Sequence, residues 1–236
     1  PLYYSTGALF SNRRLMGKPY MLTLATDAYF ERSTNDYEGY SVSLYAGRPL
    51  YSLRDRFGYS VSVSRGVGVV RQEQMGSRAY WDDPETDEIE SVPRGWAYES
   101  YSLSLSADMQ YRFAYVFRVG GGLSLSRYSA TDLDSVDLSV LSVETAQRFR
   151  QEVIPESLLL AYPQMRLSFF RERFHIYRNL SGFGLSEELQ LGLSGGGYAQ
   201  LPTRAMGSSQ DLLIVGTRLV FRERLLSDGL FEIAGS

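Results

Sequence analysis

Apolar and polar residues alternate along much of the chain. In Tyr101–Gln110, YSLSLSADMQ, the odd positions carry Tyr, Leu, Leu, Ala and Met, and the even positions carry Ser, Ser, Ser, Asp and Gln. A period of two is typical of a β-strand, because successive side chains point to opposite sides. The same pattern predicts further strands at Tyr40–Ala46, Phe57–Val63, Gly121–Tyr128 and Leu189–Gln200.

Other segments show weaker alternation and raise the predicted total to about nine or ten strands. A short helix is predicted in SVETAQRFRQEVI, Ser142–Ile154, although no convincing N-terminal cap precedes it. No apolar run approaches the roughly 18 residues that a membrane-spanning helix needs. An all-β chain is therefore expected, with its additional strands at Tyr20–Glu31, Arg112–Val119, Ser157–Phe170, Arg173–Arg178, Asp211–Glu223 and Leu230–Ile233.

Short turn signals alternate with long polar intervals along the chain. The short turns are predicted at Gly47–Pro49, Asp108–Arg112 and Phe169–Arg173, and the long intervals are Met75–Gly95 and Ser129–Glu156. Outer-membrane β-barrels have brief periplasmic turns at one end and longer outer loops at the other. Residues 1–236 are thus predicted to form one transmembrane antiparallel up-and-down β-barrel domain, or a large part of one that further strands complete.

The polar positions of the predicted strands are mostly Ser and Gly, with scattered Arg, Glu and Asp. A soluble β-sandwich usually covers its outer face with Lys, Glu and Thr, whereas small polar residues suit the wet interior of a membrane barrel. The 18 Tyr residues point the same way, because Tyr at strand ends forms interfacial girdles. A Tyr-rich soluble sandwich is the alternative. The girdle candidates are Tyr20, Tyr37, Tyr59, Tyr98, Tyr128 and Tyr198.

Composition and charge exclude one class of partner. The net charge of -3 argues against a nucleic-acid binder, which needs clustered Lys and Arg. Only Lys18 is a lysine, so almost every basic residue is Arg. Two explanations of this excess of Arg over Lys stay open: codon bias, and the preference of planar Arg for crowded polar interiors. The absence of Cys fits an outer-membrane setting but is also common elsewhere.

Three features of the sequence are candidate chemical sites, but none has the neighbouring residues that its chemistry needs. The sole histidine, His175, would need a Ser and an acidic partner to form a hydrolase triad. Gly195–Gly197 has no following Lys-Ser/Thr, so a strand bulge, kink or close backbone approach is favoured over a phosphate loop. An acidic run could bind Ca²⁺ but has no EF-hand spacing, so a solvated outer loop is favoured. It comprises Asp82, Asp83, Glu85, Asp87, Glu88 and Glu90.

Three stretches resemble one known family. GRPLYSLRDRFGYSVSVS (Gly47–Ser64) and YWDDPETDEIESVPRGW (Tyr80–Trp96) are similar to a hairpin and outer loop of the BamA/TamA-like outer-membrane assembly family. AYPQMRLSFFRERFHIYRNLSGFGLSEELQLGLSGG (Ala161–Gly196) resembles a later hairpin of such barrels. The resemblance covers most of the chain from Asn12 onward and concerns the barrel portion only.

The chain departs from that family in several features. Members carry a Val/Ile-Arg-Gly-Phe/Tyr motif in a loop folded into the barrel, and no such tetrapeptide occurs here. They also have periplasmic repeat domains, a larger number of strands and a C-terminal aromatic residue. The resemblance therefore implies that the signature loop and the last strands lie outside Pro1–Ser236, with Tyr20–Glu31 as one lip of a weak seam.

The expected function is insertion, assembly or translocation of proteins at the outer membrane of a Gram-negative bacterium, by adding a client strand at the seam. A passive pore or structural barrel is the alternative, and a hydrolase centred on His175 is the third. No enzyme activity, catalytic residue, cofactor or metal is expected. The expected partners are the lipid bilayer and lipopolysaccharide, other outer-membrane or periplasmic proteins, and substrate β-strands; nucleic acid is not expected.

Overall fold

The computed structural model describes residues 3–74, 77–82, 92–133, 136, 138, 141–178, 186–225 and 229–235. Ten long strands of this part form one antiparallel sheet, and each pairs with the next long strand along the chain. The sheet order is β1 (Tyr3–Asn12), β2 (Met21–Glu31), β3 (Tyr37–Arg48), β4 (Phe57–Arg71), β9 (Gly95–Arg112), β10 (Val116–Thr131), β11 (Leu158–Phe170), β14 (Gly192–Gln200), β15 (Ile214–Leu225) and β16 (Gly229–Gly235).

Smaller elements occupy the connections between these strands. They are two-stranded hairpins that do not join the main sheet, one α-helix and two short 3₁₀-helices. No helix in the described ranges is long and apolar enough to cross a membrane. The smaller elements are β5 (Glu73–Gln74) with β6 (Ser77–Arg78), β7 (Tyr80–Trp81) with β8 (Val92–Pro93), β12 (Phe174–Arg178) with β13 (Ser186–Gln190), α1 (Val143–Val153), and the 3₁₀-helices Leu15–Gly17 and Arg204–Met206.

The sheet is open and does not close into the expected barrel. β1 and β16 are its two edges, and the described residues of these strands do not pair with each other. Because the strand number is even, the two edges run in opposite directions, the orientation that antiparallel closure requires. The prediction that Tyr20–Glu31 is the first strand was wrong, since β1 precedes it. The alternation in β1 is weak because Gly7 and Leu9 share the side of Ser5.

Local details differ from the sequence prediction at three places. The helix is confirmed, but it does have a cap, since Ser142 Oγ accepts a hydrogen bond from the Thr145 amide at 3.1 Å. The strand expected at Arg173–Arg178 pairs with β13 in a separate hairpin. The strand expected at Leu189–Gln200 is divided into β13 and β14, because Gly192, the first residue of β14, adopts a left-handed φ of 90°.

Neighbouring strands of the main sheet keep their alternation in phase. Leu103 lies opposite Val63 on one side and Leu125 on the other. The adjacent positions form a second row on the opposite face, made of Ser62, Ser104 and Ser124. The sheet therefore has one apolar and one polar face. The apolar face is open to the surroundings, with Leu105 48% and Leu123 53% exposed.

The two ends of the sheet carry different connections. Of the described residues, the turn end carries 13–20, 49–56, 113–115, 171–178 and 186–191, and the loop end carries 32–36, 72–74, 77–82, 92–94, 132–133, 136, 138, 141–157 and 201–213. Both predicted long intervals fall at the loop end, which confirms that part of the asymmetry. The turn predicted at Phe169–Arg173 leads instead into the hairpin β12–β13, so the connection after β11 is long.

The two longest connections pack together into a small core at the loop end. Trp81 and Val92 of the hairpin β7–β8 contact Phe149 and Val153 of α1, and all four side chains are buried. Trp81 Nε1 also donates a hydrogen bond to Glu152 Oε2 at 2.7 Å. We call this unit, β7–β8 with α1, the loop cap. The described parts of the two long connections therefore pack against each other, while the acidic run that was predicted to be solvated lies outside the described residues apart from the exposed Asp82.

Gly122 and Gly121 of β10 provide a matched test of sheet packing. A Cβ at Gly122 would collide with the backbone carbonyl oxygen of Leu105, whereas one at Gly121 would meet nothing closer than 3.7 Å. Backbone cannot move aside as a side-chain end can, so we expect Gly122→Ala to destabilise the fold by about 1–3 kcal/mol. Gly121→Ala should unfold at the wild-type temperature in detergent, and equal effects of the two variants would contradict this packing.

Phe149 provides a test of the loop cap. Removing a buried phenyl ring costs about 3–5 kcal/mol, so Phe149→Ala should open the cap. The chain has two tryptophans, Trp81 in the cap core and Trp96 against it, so their fluorescence should shift to the red. Val143→Ala in the same helix removes a 75% exposed side chain and should leave the emission unchanged. An unshifted Phe149→Ala spectrum would rule out this core.

Candidate functional site

The polar face of the sheet is concave. One hollow of about 890 Å³ is lined from β3 to β15, strands that would lie about 29 Å apart in a flat sheet. A single hollow can touch both only because the sheet curls toward its polar side. We call this hollow the trough; its polar lining includes Tyr45, Asp108, Arg118, Arg166, Tyr198 and Arg218.

Serine hydroxyls pair across the middle of the concave face. Ser60 Oγ lies 2.8 Å from Ser106 Oγ, and Ser64 Oγ lies 2.8 Å from Ser102 Oγ. Such neutral hydrogen bonds contribute about 1 kcal/mol each and satisfy polar groups that the curled sheet partly buries. A second set joins three strands through Ser104, Ser124 and the side-chain amide of Gln164 at 3.0–3.2 Å.

Charged side chains pair across strands toward the turn end of the trough. Arg166 lies 3.2 Å from Asp108 Oδ1, and Arg118 Nε donates to Gln110 Oε1 at 2.8 Å. Gly120 lies between Asp108 and Arg166 in the register, and a Cβ there would collide with the Asp108 carboxylate. The glycine therefore makes room for the ion pair.

Aromatic side chains line the loop end of the concave face. Trp96 Nε1 donates to the Tyr128 hydroxyl at 2.7 Å, and the Tyr98 and Tyr128 rings stack at 5.9 Å. Trp96 also packs against the core of the loop cap, which places the cap beside this end of the concave face. Tyr98, Tyr128 and Tyr198, which is in register with Arg166, therefore do not belong to an outward girdle, whereas the exposed Tyr59 is in register with Ala107 on the apolar face.

Buried ion pairs at the loop end join the strands β2, β3 and β4 to one another and to the hairpin β5–β6. Glu31 at the end of β2 pairs with Arg78 of β6 and lies 3.7 Å from Arg71 of β4. Arg71 also pairs with Glu38 of β3. The Glu31 and Glu38 side chains are only 8% and 7% exposed, so their charges depend on these partners.

The charge of Glu31 is stabilised by its surroundings. Burial acts to raise the pKa of its carboxyl group, but hydrogen bonds from Ser33 and Thr34 and the charges of Arg71 and Arg78 outweigh burial. The pKa therefore lies below the ordinary value for glutamate. Glu31 is thus held ionised in the folded protein.

The structure assembles no triad around His175. The residue lies in β12 opposite Leu189 of β13, and its ring meets Tyr177 edge-on at 4.8 Å. No serine hydroxyl or carboxylate of the described residues forms a hydrogen bond with it. The arrangement among these residues offers no nucleophile that His175 could activate.

The acidic run and Gly195–Gly197 also form no binding site among the described residues. Apart from Asp82, the acidic run lies outside the described residues. Within the described ranges, no three His, Asp or Glu side chains are arranged to hold a metal ion. Gly195–Gly197 lies in a regular stretch of β14, where Gly195 allows close approach of Leu219 and Phe169. The alternating pattern predicted a polar face with scattered Arg, but it did not predict that Arg118, Arg166 and Arg218 line one hollow.

Glu31 generates a pH-dependent stability prediction. A group with a lowered folded pKa stabilises the protein above its unfolded pKa, and this contribution disappears as the pH falls through the folded value. We expect Glu31→Gln to lower the free energy of unfolding by about 1–3 kcal/mol at neutral pH. The deficit should shrink below about pH 4.3. Denaturant unfolding across pH measures it, with the exposed neighbour Glu73→Gln as control; a pH-independent deficit would contradict the charged pairing.

Comparison with known proteins provides no relative for this chain. No protein-family model matches it, and neither a curated protein nor a solved structure does. The likeness of Gly47–Ser64, Tyr80–Trp96 and Ala161–Gly196 to the BamA/TamA-like family therefore stays a prediction. The established features are an open antiparallel sheet, its exposed apolar face and its concave polar face.

Proposed function

We propose that this chain forms the wall of an outer-membrane β-barrel of the BamA-like type, which inserts, assembles or translocates proteins at the bacterial outer membrane. The exposed apolar face supports the membrane setting. A soluble sheet would bury such a face, but here the largest buried apolar cluster lies in the loop cap. Lipid would cover the apolar face, and water would fill the concave face.

The dimensions of the apolar face support the same setting. Tyr101 and Tyr111 lie on this face of β9, ten positions apart. Ten residues of a strand tilted by about 45° rise roughly 24 Å, which matches the apolar band of membrane barrels. Beyond Tyr101, Arg65 and Glu99 form an ion pair of 2.8 Å, as expected where the hydrocarbon ends and headgroups begin.

The observation that carries the insertion function is the pair of free edges on this exposed sheet. β1 has a partner on one side only, and β16 pairs only with Leu219–Leu225 of β15. An unpaired N–H or C=O group in hydrocarbon costs several kcal/mol. The edges must therefore pair with each other, with further chain, or with a client strand that adds by backbone hydrogen bonding.

A passive pore is the second candidate, and the arginine-lined trough favours it. The trough offers an open volume beside charged side chains, and a polar lining is usual in a conducting lumen. The loop cap lies beside one end of the concave face and would limit such conduction. Membrane lipids and lipopolysaccharide are partners in both cases, whereas client β-strands belong to the insertion function alone.

Cysteine cross-linking tests the edge mechanism, because the native chain contains no Cys. Leu9→Cys in β1 is combined with Leu230→Cys or Ala234→Cys in β16, and the oxidised protein is reconstituted in liposomes. A disulfide would hold the edges together, so we expect client-barrel insertion to stop and to return after reduction. The control pair, Leu9→Cys with Ala25→Cys, joins residues already opposite in β1 and β2 and should not impair insertion.

Other outcomes would overturn the insertion proposal. If the wild-type protein inserts no client, or if insertion continues through cross-linked edges, client strands do not add there. A steady ion current through the cross-linked protein in planar bilayers would then establish the pore. A chain that stays monodisperse in water without detergent would contradict both candidates.

A further inference from the structure

Two arginines of distant sequence position face the same row of the concave sheet. Arg118 of β10 lies opposite Ser168 of β11, Ser168 lies opposite Gly196 of β14, and Gly196 lies opposite Arg218 of β15. All four residues line the trough. The Cα atoms of the two arginines lie about 14 Å apart along the row. Gly196 has no side chain, so no side chain from β14 fills the row between the two arginine positions.

The adjacent row adds a third arginine and a hydroxyl. Arg166 lies opposite Tyr198, and Tyr198 lies opposite Gly216, with every one of them lining the trough. A Cβ at Gly216 would collide with the Tyr198 ring, so the glycine allows the ring to lie across β15. The phenol and the Ser168 hydroxyl thus accompany three guanidinium groups around one hollow.

Positive charge in the trough exceeds the negative charge that faces it. Asp108 is the one carboxylate among the described lining residues, and it pairs with Arg166. Arg118 bonds to the neutral amide of Gln110 and lies 5.2 Å from the Phe170 ring centre. Arg218 is exposed and lines the hollow; the nearby Glu232 carboxylate is attracted to it but forms its ion pair with Arg222 and does not line the hollow. Three cations against one anion leave a net charge of plus two.

We propose that the trough binds a divalent tetrahedral oxyanion, namely phosphate or a phosphomonoester, between Arg118, Arg166 and Arg218. Guanidinium groups present paired N–H donors that match the oxygen spacing of phosphate, and charge-assisted hydrogen bonds are about twice as strong as neutral ones. A dianion neutralises the excess charge. Gly196 contributes no side chain to the row, and the Ser168 and Tyr198 hydroxyls supply further donors.

This inference does not depend on client insertion, because binding requires only the folded chain. Inorganic phosphate is the probe. It is titrated against the full-length protein in detergent micelles at slightly alkaline pH, where phosphate is a dianion, with sodium chloride holding the ionic strength constant. We expect a saturable rise in the unfolding temperature that acetate does not reproduce.

Arg218→Gln is the decisive variant, and Arg222→Gln is its matched control. Arg222 lies on the same strand, hydrogen-bonds to Glu232 at 2.7 Å and does not line the trough. We expect Arg218→Gln to raise the phosphate dissociation constant about tenfold, as loss of a charged hydrogen bond does. Arg222→Gln removes only the ion-pair partner of Glu232, which lies near Arg218, and should raise the constant far less.

Three outcomes would overturn the proposal. These are no phosphate effect beyond that of acetate, an Arg218→Gln affinity equal to wild type, or equal weakening by both variants. Should Arg218→Gln fail to fold, Arg118→Gln serves instead, with the same tenfold expectation. Arg118→Gln removes a second guanidinium from the same row while Asp108 and Arg166 keep their ion pair.

Discussion

The register between neighbouring strands is the constraint on which the other features of this molecule depend. Each strand alternates with a period of two, so a slip of one residue would place leucines among serines. The pairing of β4, β9 and β10 shows no slip over the whole middle of the sheet. The register of β2 against β3 shifts between Tyr29 and Phe30, near the loop end, where the alternating pattern ends.

Because the faces stay separate, packing is divided between two places. The sheet is held by backbone ladders, paired serines and cross-strand ion pairs rather than by an apolar interior. The principal buried apolar cluster lies instead in the loop cap, where Trp81 and Phe149 meet edge-on at 5.5 Å. Ion pairs of Glu31 and Glu38 connect the sheet to this end. The compact apolar core of the described residues thus lies at the loop end of the sheet and not between its faces.

Sequence patterns predicted most strands and the helix, because both depend on nearby residues. They failed where local signals were weak or conflicting. β1 mixes Gly and Leu on its polar side, and the break at Gly192 depends on a backbone angle that alternation does not report. The Tyr98 and Tyr128 rings were expected to face outward, but position at a strand end does not determine which face a side chain occupies. A side chain lies on the concave face when it is an even number of residues away from a serine of that face in the same strand.

The sequence alone determined that two chemically different faces exist, since alternating side chains must separate on any extended strand. Only the tertiary structure decided which residues meet on each face. Arg118 and Arg218 are far apart in the chain and share one hollow because β10, β11, β14 and β15 stack in order and the sheet curls. The loop cap likewise arises from two long connections whose contacts are non-local. Free edges, trough and cap all depend on long-range pairing, which local alternation does not encode.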